Sequence, residues 1–283
     1  YKMGAAIGQE ALVNGVNNWY APAMNTHRSP FGGRNFEYFS EDGVLAGKLA
    51  AQMVSGAGDN GLFCQIKHFF LNDQETCRHL NICTWATEQA MREIYMKPYE
   101  ITIKEAMMSI KYISDAEGTV SMVKMRAATG VMTALNAIGT HPSTCNYGML
   151  TNVLRGEWGF NGFVISDFDL YYNQPEHNYS LRTGLSAWMS MSKCYSEDYD
   201  SAIMRNTMRR ALHDLIYAEV NSATYNGVAP GTIVYYTMSP WEIGLIAGSC
   251  IVWAGIAAVI VWGAVRFADS KKHPEKYKHK EKI

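Results

Sequence analysis

Short apolar runs that stop at polar residues recur along this chain. Three of them predict buried strands at residues 62–66, 130–135 and 163–165, and the last is entirely β-branched and aromatic. Lys67 and His68 follow the first strand, and Asp167 follows the last. Because the carboxyl ends of parallel strands meet at one edge of a sheet, we expect these three groups to lie close together. On the strand pattern alone, a cap for the following turn is the simpler interpretation of Asp167.

Helical patterns separate the predicted strands. Ser40 is expected to cap the first helix, in which Leu45, Leu49 and Met53 recur at i, i+4 and i+8. This spacing predicts a single apolar face. Residues 25–38, which precede that helix, contain two glycines, a proline and several charged and aromatic groups, and they predict a shaped loop.

Further helices are expected over residues 87–106, 147–155 and 200–221, and Pro98 should kink or divide the first of these. The order strand, helix, strand, helix, strand predicts a parallel α/β sheet. Three successive strands that end in polar groups are typical of a barrel with one functional rim. Residues 107–129 fit neither the helical nor the strand pattern.

The composition changes sharply near the carboxyl terminus. Residues 243–265 contain no Asp, Glu, Lys, Arg or His, and this span is long enough to cross a bilayer. The tail that follows is rich in lysine, so the positive-inside rule places residues 266–283 in the cytoplasm and the preceding part of the chain outside. A buried core helix is the alternative, although such helices seldom remain uncharged over this length.

The bulk composition argues against one class of function. Twenty-five basic and 26 acidic side chains give a net charge of −1, which does not favour a nucleic-acid-binding protein. The six cysteines show no C-x-x-C pair and no zinc-ligand spacing, so we interpret them as mostly free thiols. Seventeen Tyr and seven Trp suit a sugar-binding site or a well-packed core equally.

Five motifs occur in the order and spacing of glycoside hydrolase family 3, and the chain resembles the β-glucosidase branch of that family. They are GRNFEYFSED at residues 33–42, KHF at 67–69, NDQET at 72–76 with Arg78, RGEWGF at 155–160, and Ser166-Asp167. The resemblance covers roughly residues 10–190. It implies a (β/α)8 TIM-type barrel, α/β in class, and retaining hydrolysis of β-linked glycosides without a metal or organic cofactor.

Carried over residue by residue, the resemblance implies that Asp167 is the catalytic nucleophile. It also implies that Arg34, Lys67, His68 and Arg78 bind the hydroxyl groups of the sugar. Retaining hydrolysis needs a second carboxyl group about 5 Å from the nucleophile to protonate the leaving oxygen. Cationic neighbours such as Lys67 and Arg34 are expected to keep Asp167 ionised and nucleophilic.

The binding residues also have simpler interpretations. Arg34 and Arg78 could pair with rim glutamates such as Glu37 and Glu75 instead of binding a sugar. His68, taken alone, would more often be a buried core histidine than a ligand-binding group.

The sequence departs from the family pattern at three positions. Leu135 stands where many relatives carry Tyr, Phe168 where they carry Trp, and Ser186 where an acid is common. Asp169 is the alternative nucleophile, because it shares the strand parity of Asp167. The departures at Leu135 and Ser186 permit an alternative function, a sugar-binding protein that has lost hydrolysis. A glycoside phosphorylase is the second alternative.

Parts of the enzyme are expected to lie outside this chain. The first barrel strands of the family would precede Tyr1, and the general acid is expected from a missing N-terminal part of the same protein, so this chain alone should be inactive. We predict a partial barrel domain at residues 1–236, a transmembrane anchor at 237–265 and a basic cytoplasmic tail at 266–283. The expected location is therefore the cell membrane, with the catalytic part outside and a β-glucoside or oligosaccharide as substrate.

Overall fold

The computed structural model describes residues 1–78, 82–169, 177–190, 199–225 and 237–277. The chain divides into two compact units, residues 1–227 and 228–283.

The first unit contains ten strands and six α-helices among its described residues. The strands are β1 (Asn18–Trp19), β2 (Phe63–Phe69), β3 (Cys83–Thr84), β4 (Met107–Ile113), β5 (Val120–Arg126), β6 (Gly130–Thr133), β7 (Ala137–Ile138), β8 (His141–Pro142), β9 (Phe163–Asp169) and β10 (Ala187–Ser190). The helices are α1 (Lys2–Val13), α2 (Gly43–Gly58), α3 (Glu88–Ala90), α4 (Lys97–Glu105), α5 (His177–Thr183) and α6 (Ala202–Val220). Met91–Tyr95 and Gly148–Glu157 are π-helical.

The central sheet has the strand order β1-β2-β6-β9-β10, and every neighbouring pair in it is parallel. The predicted parallel α/β architecture is therefore confirmed. A closed barrel of this type has eight strands, and the central sheet of the described part of the chain has five. The first unit is thus a partial (β/α) barrel. Gly162 allows the entry into β9, because a Cβ atom at this position would lie 2.1 Å from the carbonyl oxygen of Thr129.

Two of the predicted strands extend further than the apolar runs. Strand β2 reaches Phe69 and β9 reaches Asp169, because the neighbouring strands continue the backbone pairing to Thr133 and Ser190. Lys67, His68 and Asp167 consequently lie inside strands rather than in the loops after them. Pairing with a neighbour restrains the backbone at these positions more than a loop would.

Helix α2 begins as predicted near residue 40 but has a different cap. Asp42 accepts hydrogen bonds from the amides of Val44 and Leu45. The hydroxyl of Ser40 instead accepts the amide of Asp42, one residue before the helix begins.

The predicted apolar face of α2 is wrong. Leu45 and Leu49 are 49% and 46% exposed, and the buried positions are mostly alanines and glycines. The physical reason is a close approach of α1, in which a Cβ atom at Gly4 would lie 1.9 Å from the carbonyl oxygen of Met53. Small residues permit this approach, whereas large apolar ones would prevent it.

The predicted division at Pro98 is confirmed. The π-helical segment ends at Tyr95, and α4 begins at Lys97 with the proline in its first turn, where the missing N–H has no intrahelical partner to lose. Residues 107–129, which the sequence patterns left unassigned, contain the antiparallel hairpin formed by β4 and β5.

The second unit contains the long helix α7 (Pro240–Lys272) and the short helix α8 (Pro274–Tyr277). Ser239 and Glu242 form a capping box at the start of α7. The most apolar 18-residue window of α7 has a mean hydropathy of 2.3, and none of that window is buried. The helix is therefore long and apolar enough to cross a membrane.

A buried ion pair joins helix α6 to the π-helical segment Gly148–Glu157. Asp214 of α6 lies 2.9 Å from the guanidinium of Arg155, which also donates to the carbonyls of Gly162 and Gly184. Burial lowers the pKa of Arg155 to about 10, although the carboxylate of Asp214 opposes that shift. This pair fixes α6 to the starts of β9 and β10.

Replacing Asp214 by Asn should destabilise the protein strongly, because Arg155 would be left buried without its counter-charge. We expect the free energy of unfolding to fall by about 3 kcal/mol, measured by urea denaturation. Glu105→Gln is the matched control, since it breaks an exposed pair with Lys48 and should cost less than about 1 kcal/mol. Equal falls in the free energy of unfolding of the two variants would contradict the stabilising role assigned to the buried pair.

Candidate active site

All five predicted site residues lie in one connected network of ion pairs and close contacts, and Asp167 of β9 is at its buried end. The Asp167 side chain is 9% exposed, and its Oδ2 atom is 2.6 Å from Arg78 Nη1 and 3.6 Å from His68 Nε2. Its Oδ1 atom accepts the backbone amide of Phe168 at 2.7 Å. The carboxylate is therefore held from both of its oxygens.

From Asp167 the charges alternate in sign outward through the loops. Glu75 accepts Arg78 Nε at 2.7 Å and lies 3.8 Å from Arg34 Nη1. Arg34 in turn donates to Glu37, which lies 3.9 Å from Lys67 Nζ. Three cations thus alternate with three carboxylates along the rim.

The rim pairings and the contact with Asp167 occur together. Arg34 and Arg78 do pair with Glu37 and Glu75, as the simpler interpretation of these arginines expected. Arg78 also reaches Asp167, so a single guanidinium bridges two carboxylates. The direct cationic neighbour of Asp167 is therefore Arg78, rather than Lys67 or Arg34.

His68 is a buried, neutral neighbour of the carboxylate. Burial lowers its pKa well below the ordinary value, and the nearby charges of Arg34, Lys67 and Arg78 lower it further. Burial also lowers the pKa of Lys67, although Glu37 opposes that shift. A neutral imidazole donates from one ring nitrogen and accepts at the other.

The backbone of His68 is fixed by two residues that sequence reasoning missed. The side-chain amide of Asn25 accepts the amide of His68 at 3.0 Å and donates to its carbonyl at 3.1 Å. The hydroxyl of Tyr99 donates to the same carbonyl at 2.8 Å. An asparagine in an irregular loop and a tyrosine in a helix carry no sequence signal for such a role.

Two further contacts hold the loops that carry the arginines. Asp73 accepts both the amide and the hydroxyl of Thr26 at 2.7 Å. The hydroxyl of Tyr38 donates to the carbonyl of Asn72 at 3.1 Å. These bonds join the loop of residues 25–38 to the loop after β2, and hence Arg34 to Arg78.

The departures from the family pattern have different outcomes. Leu135 and Phe168 are both partly buried. Phe168 contacts Asp167 through its backbone amide, and a tryptophan at this position would make the same contact. The hydroxyl of Ser186 donates to Asp214 of α6. A carboxylate therefore lies next to residue 186, although residue 186 itself is a serine. The side chain of Asp169 lies outside the described part of the chain.

Three cysteines, Cys64, Cys77 and Cys250, are free thiols in the part of the chain that the structure describes. Cys194 falls outside the described residues.

Comparisons with known proteins agree on one family. The model of the "Glycosyl hydrolase family 3 N terminal domain" matches residues 1–203. Beta-glucosidase B of Emericella nidulans is 44% identical over 167 residues, which are 59% of this chain and 17% of that protein. Beta-glucosidase A of Butyrivibrio fibrisolvens is 36% identical over 210 residues, which are 74% of this chain and 22% of that protein.

Solved structures show the same likeness. The beta-glucosidase 3B of Thermotoga neapolitana in complex with α-D-glucose superposes with a TM-score of 0.64 at 31% identity, over 79% of this chain and 30% of that one. A beta-glucosidase of Bifidobacterium adolescentis gives a TM-score of 0.66 at 28% identity, over 82% and 31%. The chain spans about a fifth of the length of the curated relatives that it matches.

The low pKa of His68 predicts a pH dependence of stability. Below about pH 6.5 the unfolded chain binds a proton that the folded chain does not, so the free energy of unfolding should fall as the pH decreases, by up to about 1.4 kcal/mol per pH unit. Urea denaturation between pH 6.5 and 5 should show a smaller loss in His68→Gln than in the parent protein. His141→Gln, which changes an exposed histidine, should keep the parent slope; a parent-like slope in His68→Gln would contradict the prediction.

Proposed function

This chain belongs to glycosyl hydrolase family 3, and from that premise we propose that it carries the nucleophile and the sugar-binding rim of a retaining β-glucosidase. One observation carries the proposal. A buried carboxylate, Asp167, stands at the strand end where Arg78 and His68 converge on one of its oxygens. This arrangement orients a carboxylate for attack and surrounds it with groups that bind hydroxyls.

In the proposed reaction an oxygen of Asp167 attacks the anomeric carbon of the sugar. The bond from that carbon to the leaving oxygen breaks, and the leaving oxygen takes a proton from a general acid. Water then attacks the same carbon and gives one proton to that group, which now acts as a base, while the bond from the carbon to the Asp167 oxygen breaks and the carboxylate is released. Throughout the reaction the sugar hydroxyls are held by four side chains, those of Arg34, Lys67, His68 and Arg78.

We place the general acid in a part of the protein outside this chain. Glu75 is the carboxylate connected to Asp167 through Arg78, and its two oxygens are already engaged by Arg78 and Asn72. It is therefore poorly placed to deliver a proton to a leaving group. The central sheet of the described residues has five strands where a closed barrel has eight, which supports the same inference, that this chain alone is inactive.

The nucleophile is tested by trapping. A 2-fluoroglucoside that forms the sugar–enzyme ester but releases it slowly should label Asp167 in the complete enzyme, as located by peptide mass spectrometry. Asp167→Asn should lose the label and retain less than about one part in a thousand of the hydrolysis of aryl β-glucosides, because an amide is a far weaker nucleophile than a carboxylate of nearly the same size.

Asp169→Asn is the matched control and should still be labelled. A label on Asp169, or normal turnover in a folded Asp167→Asn protein, would contradict the assignment. Glucose binding without label or hydrolysis in the parent enzyme would favour the sugar-binding alternative. Products formed with inorganic phosphate would favour a glycoside phosphorylase.

We also propose that α7 anchors the protein in the cell membrane, with the barrel outside and residues 266–283 in the cytoplasm. The charge-free run within α7 and the lysines after it support this proposal. Arg266 lies 4.9 Å above the ring of Trp262, an arrangement suited to a membrane interface.

The topology predicts a protease-protection pattern in intact cells. Added protease should digest an epitope placed before Tyr1 and should spare one placed after Ile283. Both epitopes should be digested once the cells are permeabilised. Protection of the first epitope and loss of the second would reverse the orientation.

A further inference from the structure

The hairpin of β4 and β5 carries a face that the proposed reaction does not use. In an antiparallel pair, directly opposed residues lie on the same side, and Met107↔Arg126, Ser109↔Lys124, Lys111↔Met122 and Ile113↔Val120 are opposed here. We call this side the outer face. It combines three cations with four apolar side chains, and neither strand places an acid on it.

The opposite side of the hairpin is anchored in the core. Met108 is 2% exposed, and its opposed partner Met125 packs against the main hydrophobic cluster, as does Ile110. The outer face remains open, since Met122, Ile113 and Val120 are 65%, 70% and 64% exposed. A two-stranded ribbon is marginal in water by itself, so exposed apolar groups on its free side indicate a surface for contact.

The charges of the outer face are available to a partner. Lys111 and Lys124 make no ion pair within the part of the chain that the structure describes. Arg126 donates to the carbonyls of Trp158 and Gly159 and has no carboxylate partner among the described residues. Asp59, beside the base of the hairpin, already accepts the amide of Ser109 and the hydroxyl of Tyr1.

The acids at the tip of the hairpin lie in its turn, outside the paired strands. Asp115 accepts the amide of Thr119, and Glu117 is exposed beside it. Both are therefore at the tip, beyond the residues that form the outer face.

We propose that the outer face rests on the anionic headgroups of the membrane that α7 crosses, with its methionine, isoleucine and valine side chains entering the interface. The proposal depends on the membrane anchor proposed above, which places the hairpin at the outer leaflet, and on anionic lipid in that leaflet. Cations interleaved with apolar groups are a pattern that binds anionic bilayer surfaces. Pairing of this face with a second copy of the chain would bring like charges together without acids to offset them.

The chain connection makes even a weak surface contact effective. Residues 226–239 lie between Tyr225 and the first residue of α7, and at about 3.4 Å per residue they span at most about 50 Å, whatever their conformation. The first unit is thus kept within reach of the bilayer that holds α7. Binding of the outer face becomes an intramolecular event with a high effective concentration of lipid surface.

Methionine oxidation in lipid nanodiscs tests the proposal on the whole chain. Met122 and Met3 have the same exposed fraction, 65%, so Met3 is an internal reference for reaction with hydrogen peroxide. In phosphatidylcholine nanodiscs the two should oxidise at similar rates. Adding about one-third phosphatidylglycerol should slow Met122 about fivefold or more relative to Met3, since each cation near an anionic surface strengthens contact by roughly a factor of five.

Charge-reversal variants and high salt test whether attraction to the headgroup charge slows the oxidation of Met122. Lys111→Glu with Lys124→Glu should restore the oxidation of Met122, whereas Lys48→Glu with Lys104→Glu, which reverses two cations on other elements, should not. High salt should restore the oxidation of Met122 in the parent chain, because salt screens the headgroup charge. This experiment does not depend on the folding of a variant. Equal rates at Met122 and Met3 in both lipid compositions would overturn the proposal.

Two other results would overturn it in distinguishable ways. Release of the chain from vesicles by alkaline washing would contradict the membrane anchor and, with it, the tethering. Protection of Met122 by an oligonucleotide but not by anionic lipid would assign the outer face to a nucleic acid.

Discussion

The parallel pairing of β2, β6 and β9 is the constraint on which the site depends. Gly130 lies opposite both Gln65 and Phe163, so the three strands share one register and end at the same edge. A shift by one residue in β9 would turn Asp167 to the other face of the sheet. The buried apolar residues that precede each strand end make such a shift costly, and they therefore position the chemistry indirectly.

The charged rim works as one unit because its members share partners. Arg78 contacts Asp167 through one nitrogen and Glu75 through another, which the planar guanidinium can do and a lysine cannot. Removing Glu37, for example, would leave Lys67 partly buried and without the carboxylate it pairs with. The alternation of signs explains how three cations and three carboxylates remain together in a site that is largely shielded from water.

The hairpin and α7 expose apolar surface by the same physical device. In both, the backbone hydrogen bonds are made within the element, by the β4–β5 ladder in one and by the helix in the other. Apolar side chains can then face outward without leaving polar backbone groups unpaired. Helix α2 differs from both, because the side that it buries beneath α1 consists mostly of small residues.

The sequence by itself determined the parallel sheet, the break at Pro98 and the long apolar helix, because each depends on local periodicity or on one residue's covalent geometry. Motif order also indicated the site residues. Only the tertiary structure decided that Arg78 is the cation on Asp167, that Asn25 and Tyr99 hold His68, and that α2 buries its small face. Those outcomes depend on which distant segments meet, and neither the spacing of residues nor their individual propensities contains that information.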